Sequence, residues 1–273
     1  MVKSLTYLIG TLLILLGFSS CEKVIPIDLA DTKEAIVIEA QVTNTSMPFT
    51  VKISKTAPYF GSASNKPVTG AKVSIKSEKG KLKYFTEVAP GLYTYAKTPA
   101  FPNILYILTV EYDGVTYTAQ SFMNESVSIS DISLSYFDGL GLLESGYRIT
   151  TFIRDPADVE NYYRIKYFVN GKASTSQSGI SLYSDLLFNG KGIGLGQRSL
   201  VFKKTDTVTV ELQSIDKAAY DYFSTLESIS GLDLMQTVSP ANPISNFNNG
   251  ALGYFSAYTL DRKTIVIKDY IDN

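Results

Sequence analysis

The residue whose chemistry is best defined by its position is Cys21, the only cysteine in the 273-residue chain. It follows a basic residue (Lys3), an apolar stretch (Tyr7 to Leu16) and the short segment Gly17 to Ser20, an order typical of an export signal. The apolar stretch is shorter than the roughly 20 residues that span a bilayer. We therefore expect cleavage before Cys21, whose acyl chains would then anchor the protein in a membrane. The alternative is an ordinary signal peptide with an incidental cysteine.

Two absences limit the chemistry of the rest of the chain. There is no histidine, which removes the most frequent general base and metal ligand, and there is no second cysteine for a disulfide or a thiolate site. A formal net charge of −1 gives no basic surplus for nucleic acid. We expect no cofactor, no nucleic-acid partner and no enzymatic activity, although carboxylate-based or Ser/Lys chemistry stays open.

Two loops have compositions suited to binding. The glycine-rich segment 188–196 lacks the spacing of a phosphate-binding loop, so Asn189, Gly190, Lys191 and Gly192 are predicted to form a flexible hairpin or a partner contact. An acidic loop contains Asp155, Asp158 and Glu160, whose oxygens could hold Ca²⁺. The alternative for the acidic loop is a solvated turn, and our assignment is no metal site.

A third candidate is the long segment 232–250, rich in asparagine, proline and serine. Loops of this length inside a compact domain are usually functional or mobile. Its candidate contact residues are Asn242, Pro243, Asn246 and Asn249.

These loops need a scaffold, and the hydrophobic pattern predicts one made of strands. Residues alternate between apolar and polar from Ala35 to Thr43, and the pairs Asp113-Gly114 and Asn170-Gly171 predict hairpins. Asp216 is a suitable N-cap for one helix. We also predict strands over 182–187 and 200–203, and a final hairpin of strands 252–259 and 264–267 that turns at Asp261-Arg262.

The predicted fold is therefore mainly β. An Ig-like or transthyretin-like β-sandwich over 35–125 is followed by a second antiparallel β domain over 126–273 with one α-helix at about 216–230. Residues 1–21 form the lipoprotein signal that ends in the lipidated cysteine, and residues 22–34 form a tether.

Several segments resemble one family: residues 20–29, 51–60, 155–164 and 242–255 are similar to the Bacteroidota outer-membrane lipoproteins called domain of unknown function 4249. The resemblance implies a lipid-anchored outer-membrane protein, often associated with TonB-dependent transporters and without an established activity. The tether at Glu22-Lys23-Val24 lacks an acidic run of the kind that directs such lipoproteins to the cell surface. The cell-surface and periplasmic faces therefore both stay open.

Three functional hypotheses follow. The first is a non-catalytic accessory subunit that binds a TonB-dependent transporter or its cargo through the loops named above. The second is a hydrolase with two carboxylates that acts on an envelope or imported polymer. The third is a structural envelope component without a ligand.

Overall fold

The chain folds mainly as β-strands, as predicted. The computed structural model describes residues 34–56, 65–95, 99–141, 144–174, 181–197, 200–230 and 242–268. Cys21, the signal segment and the tether up to Lys33 lie outside these ranges. Within them, no helix has the length and apolar content needed to cross a membrane.

The described residues contain seventeen strands and one α-helix. The strands are β1 (Ile36–Thr43), β2 (Phe49–Lys55), β3 (Lys66–Pro67), β4 (Lys72–Ser77), β5 (Lys83–Tyr84), β6 (Thr86–Ala89), β7 (Leu92–Tyr95), β8 (Ile104–Tyr112), β9 (Val115–Met123), β10 (Ile129–Phe137), β11 (Gly146–Arg154), β12 (Tyr162–Val169), β13 (Lys172–Ala173), β14 (Ser181–Ser184), β15 (Gly192–Gly196), β16 (Thr207–Ile215) and β17 (Leu252–Val266). The helix is α1 (Lys217–Ser230).

The strands form three sheets. A ten-stranded sheet has the order β13-β12-β16-β17-β1-β2-β7-β6, with β14 beside β12 and β3 beside β2. A four-stranded sheet has the order β5-β4-β8-β9, and a three-stranded sheet has the order β10-β11-β15. The large sheet contains strands from both sides of residue 125, and the described residues from Glu34 onward form one compact unit. The division into a domain over 35–125 and a second domain over 126–273 stays a prediction.

The two small sheets pack on the large one through separate apolar cores. Ile38 and Val51 of the large sheet join Leu108 of the four-stranded sheet in the first core. Ile165 of the large sheet joins Ile149 of the three-stranded sheet in the second. Burial of alternate residues on facing strands is the arrangement of a β-sandwich, so the sandwich prediction is confirmed.

The helix and two hairpins agree with the sequence prediction. The Oδ1 atom of Asp216 accepts the Ala219 N–H at 3.0 Å, which is the expected N-cap. Phe223 of α1 packs with Tyr254 and Leu260 of β17 in a third apolar cluster. Asp113 and Asn170 both have a φ of 51°, and the glycine that follows each is also left-handed, as a two-residue hairpin turn requires.

The predicted C-terminal hairpin is wrong, because β17 is one continuous strand of 15 residues. Its first half pairs in parallel with β1 and its second half pairs antiparallel with β16. Arg262 lies opposite Glu211 and donates its Nε–H to the Glu211 carboxylate at 2.6 Å, which holds the segment extended. The pair Asp261-Arg262 also lacks the glycine that two-residue turns favour.

Two other strand predictions need correction. The strand over 182–187 ends at Ser184, because the Ser184 hydroxyl accepts the Leu186 N–H at 3.3 Å and caps a 3-10 helix over Asp185–Leu187. Over 200–203 only Phe202 forms a bridge, to Tyr147. The strand that pairs with β11 on the side away from β10 is β15, which lies inside the segment predicted to be a flexible hairpin. At Gly194 a Cβ would lie 2.8 Å from the Thr150 side chain, so a small residue is needed there.

Gly253 permits the parallel pairing of β1 with β17. It lies opposite Ile38 with a φ of 95°, and a Cβ at this position would be 2.1 Å from the Ile38 carbonyl oxygen. Both the backbone conformation and the close approach therefore require glycine.

Candidate partner-binding surface

The structure brings two of the predicted loops together at one end of β11. The acidic loop, 155–161, follows β11, and the glycine-rich turn, 188–191, precedes β15. These two strands are antiparallel neighbours, with Arg154 opposite Gly192. The ladder continues for one more bond, since the Asp155 N–H donates to the Lys191 carbonyl oxygen at 3.0 Å. The loops are therefore adjacent because of the register of their strands.

The Asp155 carboxylate fastens the two loops to each other. Its side chain is buried, and its Oδ2 atom accepts the Gly190 N–H at 2.9 Å. Its Oδ1 atom accepts the hydroxyl of Tyr163, which is fully buried in β12. Burial and the hydrogen bond to Asp155 raise the pKa of the Tyr163 hydroxyl, so this hydroxyl stays a donor. Asp155 thus has a structural role that its position in an acidic loop did not indicate.

A second buried carboxylate ties the 3-10 helix to the acidic loop. The Oδ2 atom of Asp185 accepts the Asn161 N–H at 2.9 Å, and the Asp185 N–H donates to the Asn161 carbonyl oxygen at 3.1 Å. Burial raises the pKa of the Asp185 carboxyl, and the nearby Asp155 and Glu160 add to this effect. Burying this carboxyl lowers the stability of the fold, and in return its hydrogen bonds fix the geometry of the loop.

Gly190 allows the turn to approach the acidic loop. Its φ is 75°, and a Cβ would lie 2.9 Å from the Ala157 Cβ. The neighbouring Asn189, Lys191 and Gly192 have their side chains or backbone exposed to solvent. Of the four predicted contact residues in this turn, Gly190 is therefore the one with a packing role.

The three carboxylates proposed for Ca²⁺ are in different environments. Asp155 is already engaged by two donors, Asp158 is exposed, and Glu160 accepts the Tyr162 hydroxyl. Among the described residues no group of three or more acidic, histidine or cysteine side chains is arranged to hold a metal ion. Calcium binding stays a hypothesis in which two of the three ligands, Asp155 and Glu160, have other partners.

The fastened loops, a name we use for residues 155–161 and 185–191, expose large apolar side chains. Leu186 and Leu187 of the 3-10 helix are 82% and 88% exposed, and Val159 of the acidic loop is 56% exposed. We call Val159, Leu186 and Leu187 the leucine surface. We did not predict this surface because we extended the strand through residue 187. The capping pair Ser184-Asp185 was the sequence signal that could have indicated the end of the strand.

The described part of the third predicted segment, 242–250, lies elsewhere, between β9 and β17, and residues 232–241 lie outside the described ranges. Asn246 donates its Nδ2–H to the carbonyl oxygens of Phe255 at 2.8 Å and Gln120 at 3.3 Å, and its Oδ1 accepts the Phe255 N–H at 2.9 Å. Asn249 donates to the Thr116 carbonyl oxygen at 2.7 Å. These amides join two sheets, whereas Asn242 is exposed and Pro243 is half-buried.

A cavity of about 360 Å³ lies beside the start of α1. Its lining includes two carboxylates, Glu160 and Asp216, together with Tyr162 and Lys217. Both oxygens of Asp216 accept backbone N–H groups, from Ala219 at 3.0 Å and Phe122 at 3.2 Å. Burial raises the pKa of the Asp216 carboxyl. Asp216 therefore serves as a helix cap at the wall of the cavity.

Comparison with known proteins identifies the family. Residues 22–264 match the family described as domain of unknown function DUF4249. The chain belongs to this family. The match covers both halves of the DUF4249 chain, including the leucine surface and the segment 242–250.

Other comparisons add little to this assignment. No curated protein matches the sequence. A similar solved structure is that of the Yersinia pseudotuberculosis adhesin InvE, with 16% identity and a TM-score of 0.22. The alignment covers 66% of this chain and 55% of the adhesin chain.

Proposed function

We propose that this DUF4249 chain is a lipid-anchored outer-membrane accessory subunit of the Bacteroidota, attached through acylated Cys21, that binds a TonB-dependent transporter or its cargo. The observation that supports it is the leucine surface. Burying one leucine on association yields about 1.5–3 kcal/mol. Two adjacent leucines, 82% and 88% exposed, therefore form a strong candidate anchor for a partner.

The way the leucines are held also supports a binding role. Association has a lower entropic cost when the contact residues are already fixed in place. Here the 3-10 helix that presents the leucines is fixed by Asp185, and the turn after it is fixed by Asp155. The surface is thus prepared for contact before a partner arrives.

The test is co-purification of the full-length protein from membranes. The wild-type chain should recover a stoichiometric β-barrel transporter, and the double variant Leu186→Ser/Leu187→Ser should lose it. Leu140→Ser is a matched control, because Leu140 is 75% exposed in the loop at the opposite end of β11, roughly 30 Å away for a nine-residue strand. Recovery of the wild-type protein alone would favour the ligand-free structural hypothesis.

The membrane anchor has its own test. Cys21→Ala should abolish labelling with a fatty-acid analogue and release the protein from the membrane fraction. Labelling that is unchanged in the variant would contradict lipidation at Cys21. A protease added to intact cells tells the two faces apart, because it cleaves the protein at the cell surface but not at the periplasmic face.

The hydrolase hypothesis is supported by one observation, the two carboxylates at the 360 Å³ cavity. A glycoside hydrolase needs one carboxyl as acid and a second as base or nucleophile. Asp216 already accepts two backbone N–H groups, so Glu160 is the better candidate for a reacting group. We therefore rank binding above hydrolysis, and hydrolysis of an envelope polymer that is lost in Glu160→Gln would reverse this order.

A further inference from the structure

A group of charged side chains lies on the face of the large sheet that α1 covers in part. Lys166, Glu211 and Arg262 form one row across β12, β16 and β17. Arg164 and Gln213 belong to the next row on the same face, because side chains two residues apart on a strand point the same way. The guanidinium of Arg164 stacks on the ring of Phe223 at 3.8 Å, which places the group beside the helix.

The one carboxylate in this group is fully used by its neighbours. The Oε1 atom of Glu211 accepts the Gln213 amide at 2.6 Å, and its Oε2 atom accepts the Arg262 Nε–H at 2.6 Å. Arg262 adds a second contact from Nη2 at 2.5 Å. Glu211 is buried, and Arg262 is the cation in direct contact with it, while Arg164 and Lys166 feel its charge from farther away.

Among the described residues, Arg164 and Lys166 have no carboxylate in direct contact with them. Neither forms an ion pair with a carboxylate of the described residues, and the buried Nε–H of Arg164 has no hydrogen-bond acceptor among them. The Arg164 guanidinium also donates to the Tyr254 hydroxyl, which is neutral. Burial lowers the pKa of Lys166, and the charge of Arg164 lowers it further. The group therefore holds three cations, Arg164, Lys166 and Arg262, against the single carboxylate of Glu211, which Arg262 already contacts.

We propose that Arg164 and Lys166 form a binding site for an oxyanion, a carboxylate or phosphate group of a small ligand. An arginine fork and a lysine ammonium are the usual donors for such groups. The rings of Phe223 and Tyr254 supply an apolar wall, and the buried Oε1 of Gln213, which lacks a donor, can accept a hydroxyl of the same ligand. Lys166 is half-buried and the Arg262 side chain is 42% exposed, so the ligand can approach from this side.

The site uses different residues from the leucine surface, although β14 pairs with β12 and places Leu182 opposite Arg164. Lys166 and Arg164 lie on β12, while the leucines lie on the 3-10 helix after β14. A transporter partner could be absent and the oxyanion could still bind, or the reverse. The two proposals therefore fail or succeed in separate experiments.

The experiment measures the midpoint of thermal unfolding (Tm) of the purified protein against inorganic phosphate and, separately, acetate, each compared with chloride at equal ionic strength. We expect a saturable rise in Tm with at least one of the two anions, because a ligand bound to the folded state stabilises it. The stronger response tells whether phosphate or carboxylate is preferred. Isothermal titration then gives the affinity for that anion.

Two variants test the residues. Lys166→Met keeps the length of the side chain and should weaken binding by about 10- to 100-fold, the usual effect of losing one charge-assisted hydrogen bond. Arg164→Gln should do the same, and serves as a second test should either variant fold poorly. Lys52→Met is the control, because Lys52 lies on the same sheet and already pairs with Glu39 at 3.6 Å. Wild-type protein that responds to neither anion, or a response that both variants keep, would overturn the proposal.

Discussion

The two loop regions predicted to contact a partner use their side chains in opposite ways. In the fastened loops, 155–161 and 185–191, buried carboxylates satisfy the backbone while apolar side chains face solvent. In the segment 242–250, the apolar Phe247 is buried, and Asn246 and Asn249 bond to neighbouring strands. A loop rich in polar residues, such as 242–250, can therefore be part of the scaffold. Loops with buried carboxylates, such as the fastened loops, can present apolar side chains to a partner. The comparison indicates the leucine surface as the better candidate for binding.

The largest loss of stability is expected when the carboxylate between the fastened loops is removed. Asp155→Ala should lower the free energy of unfolding by about 3 kcal/mol, because the buried Tyr163 hydroxyl and the Gly190 N–H both lose their acceptor. Urea unfolding measures this change. Asp158→Ala, an exposed carboxylate in the same loop, should change the value by no more than about 0.5 kcal/mol. Equal effects of the two substitutions would contradict the assigned role of Asp155.

The segment 242–250 should behave as scaffold when its amides are removed. Asn246→Ala should cost about 2 kcal/mol of unfolding free energy, since three hydrogen bonds to Gln120 and Phe255 are lost. Asn242→Ala, at an exposed position of the same segment, should be close to neutral. The amount of partner recovered with Asn246→Ala should be proportional to the fraction of this variant that is folded. Loss of the partner from a fully folded Asn246→Ala protein would instead place binding in this segment.

A smaller effect is expected from the pH dependence of the fastened loops. The pKa of Asp185 is raised above its ordinary value of 3.8, so the folded protein holds this proton more tightly than the unfolded chain. Its contribution to stability therefore falls as pH rises from about 3.8 through the raised pKa. Asp185→Asn removes this titration, and the free energy of unfolding should decline less steeply with pH above about 4. An unchanged slope would contradict the raised pKa; Asp216 retains its own titration in both proteins.

The fold was largely predictable because its signals are local. Alternating residues in β1 and the left-handed turns at Asp113 and Asn170 depend on neighbours in sequence. The errors arose where distant residues decide the structure. Arg262 is extended because Glu211 lies opposite it. Residues 192–196 form the strand β15 because they pair with β11. The role of Asp155 could not be predicted either, since its partners Tyr163 and Gly190 are brought to it by two different strands.

The smallest effect on stability, and the sharpest contrast between the two regions, should come from the leucine surface itself. Leu186 and Leu187 are almost fully exposed, so replacing both with serine removes little packing and should change the free energy of unfolding by no more than about 0.5 kcal/mol per residue. The same double variant should abolish recovery of a partner that Leu140→Ser keeps. A side chain that contributes little to stability but is needed to recover the partner acts in binding. Asn246 should instead contribute to stability and not be needed for binding. If the leucines instead prove necessary for stability, they contact a part of this chain, and the binding surface must be sought elsewhere.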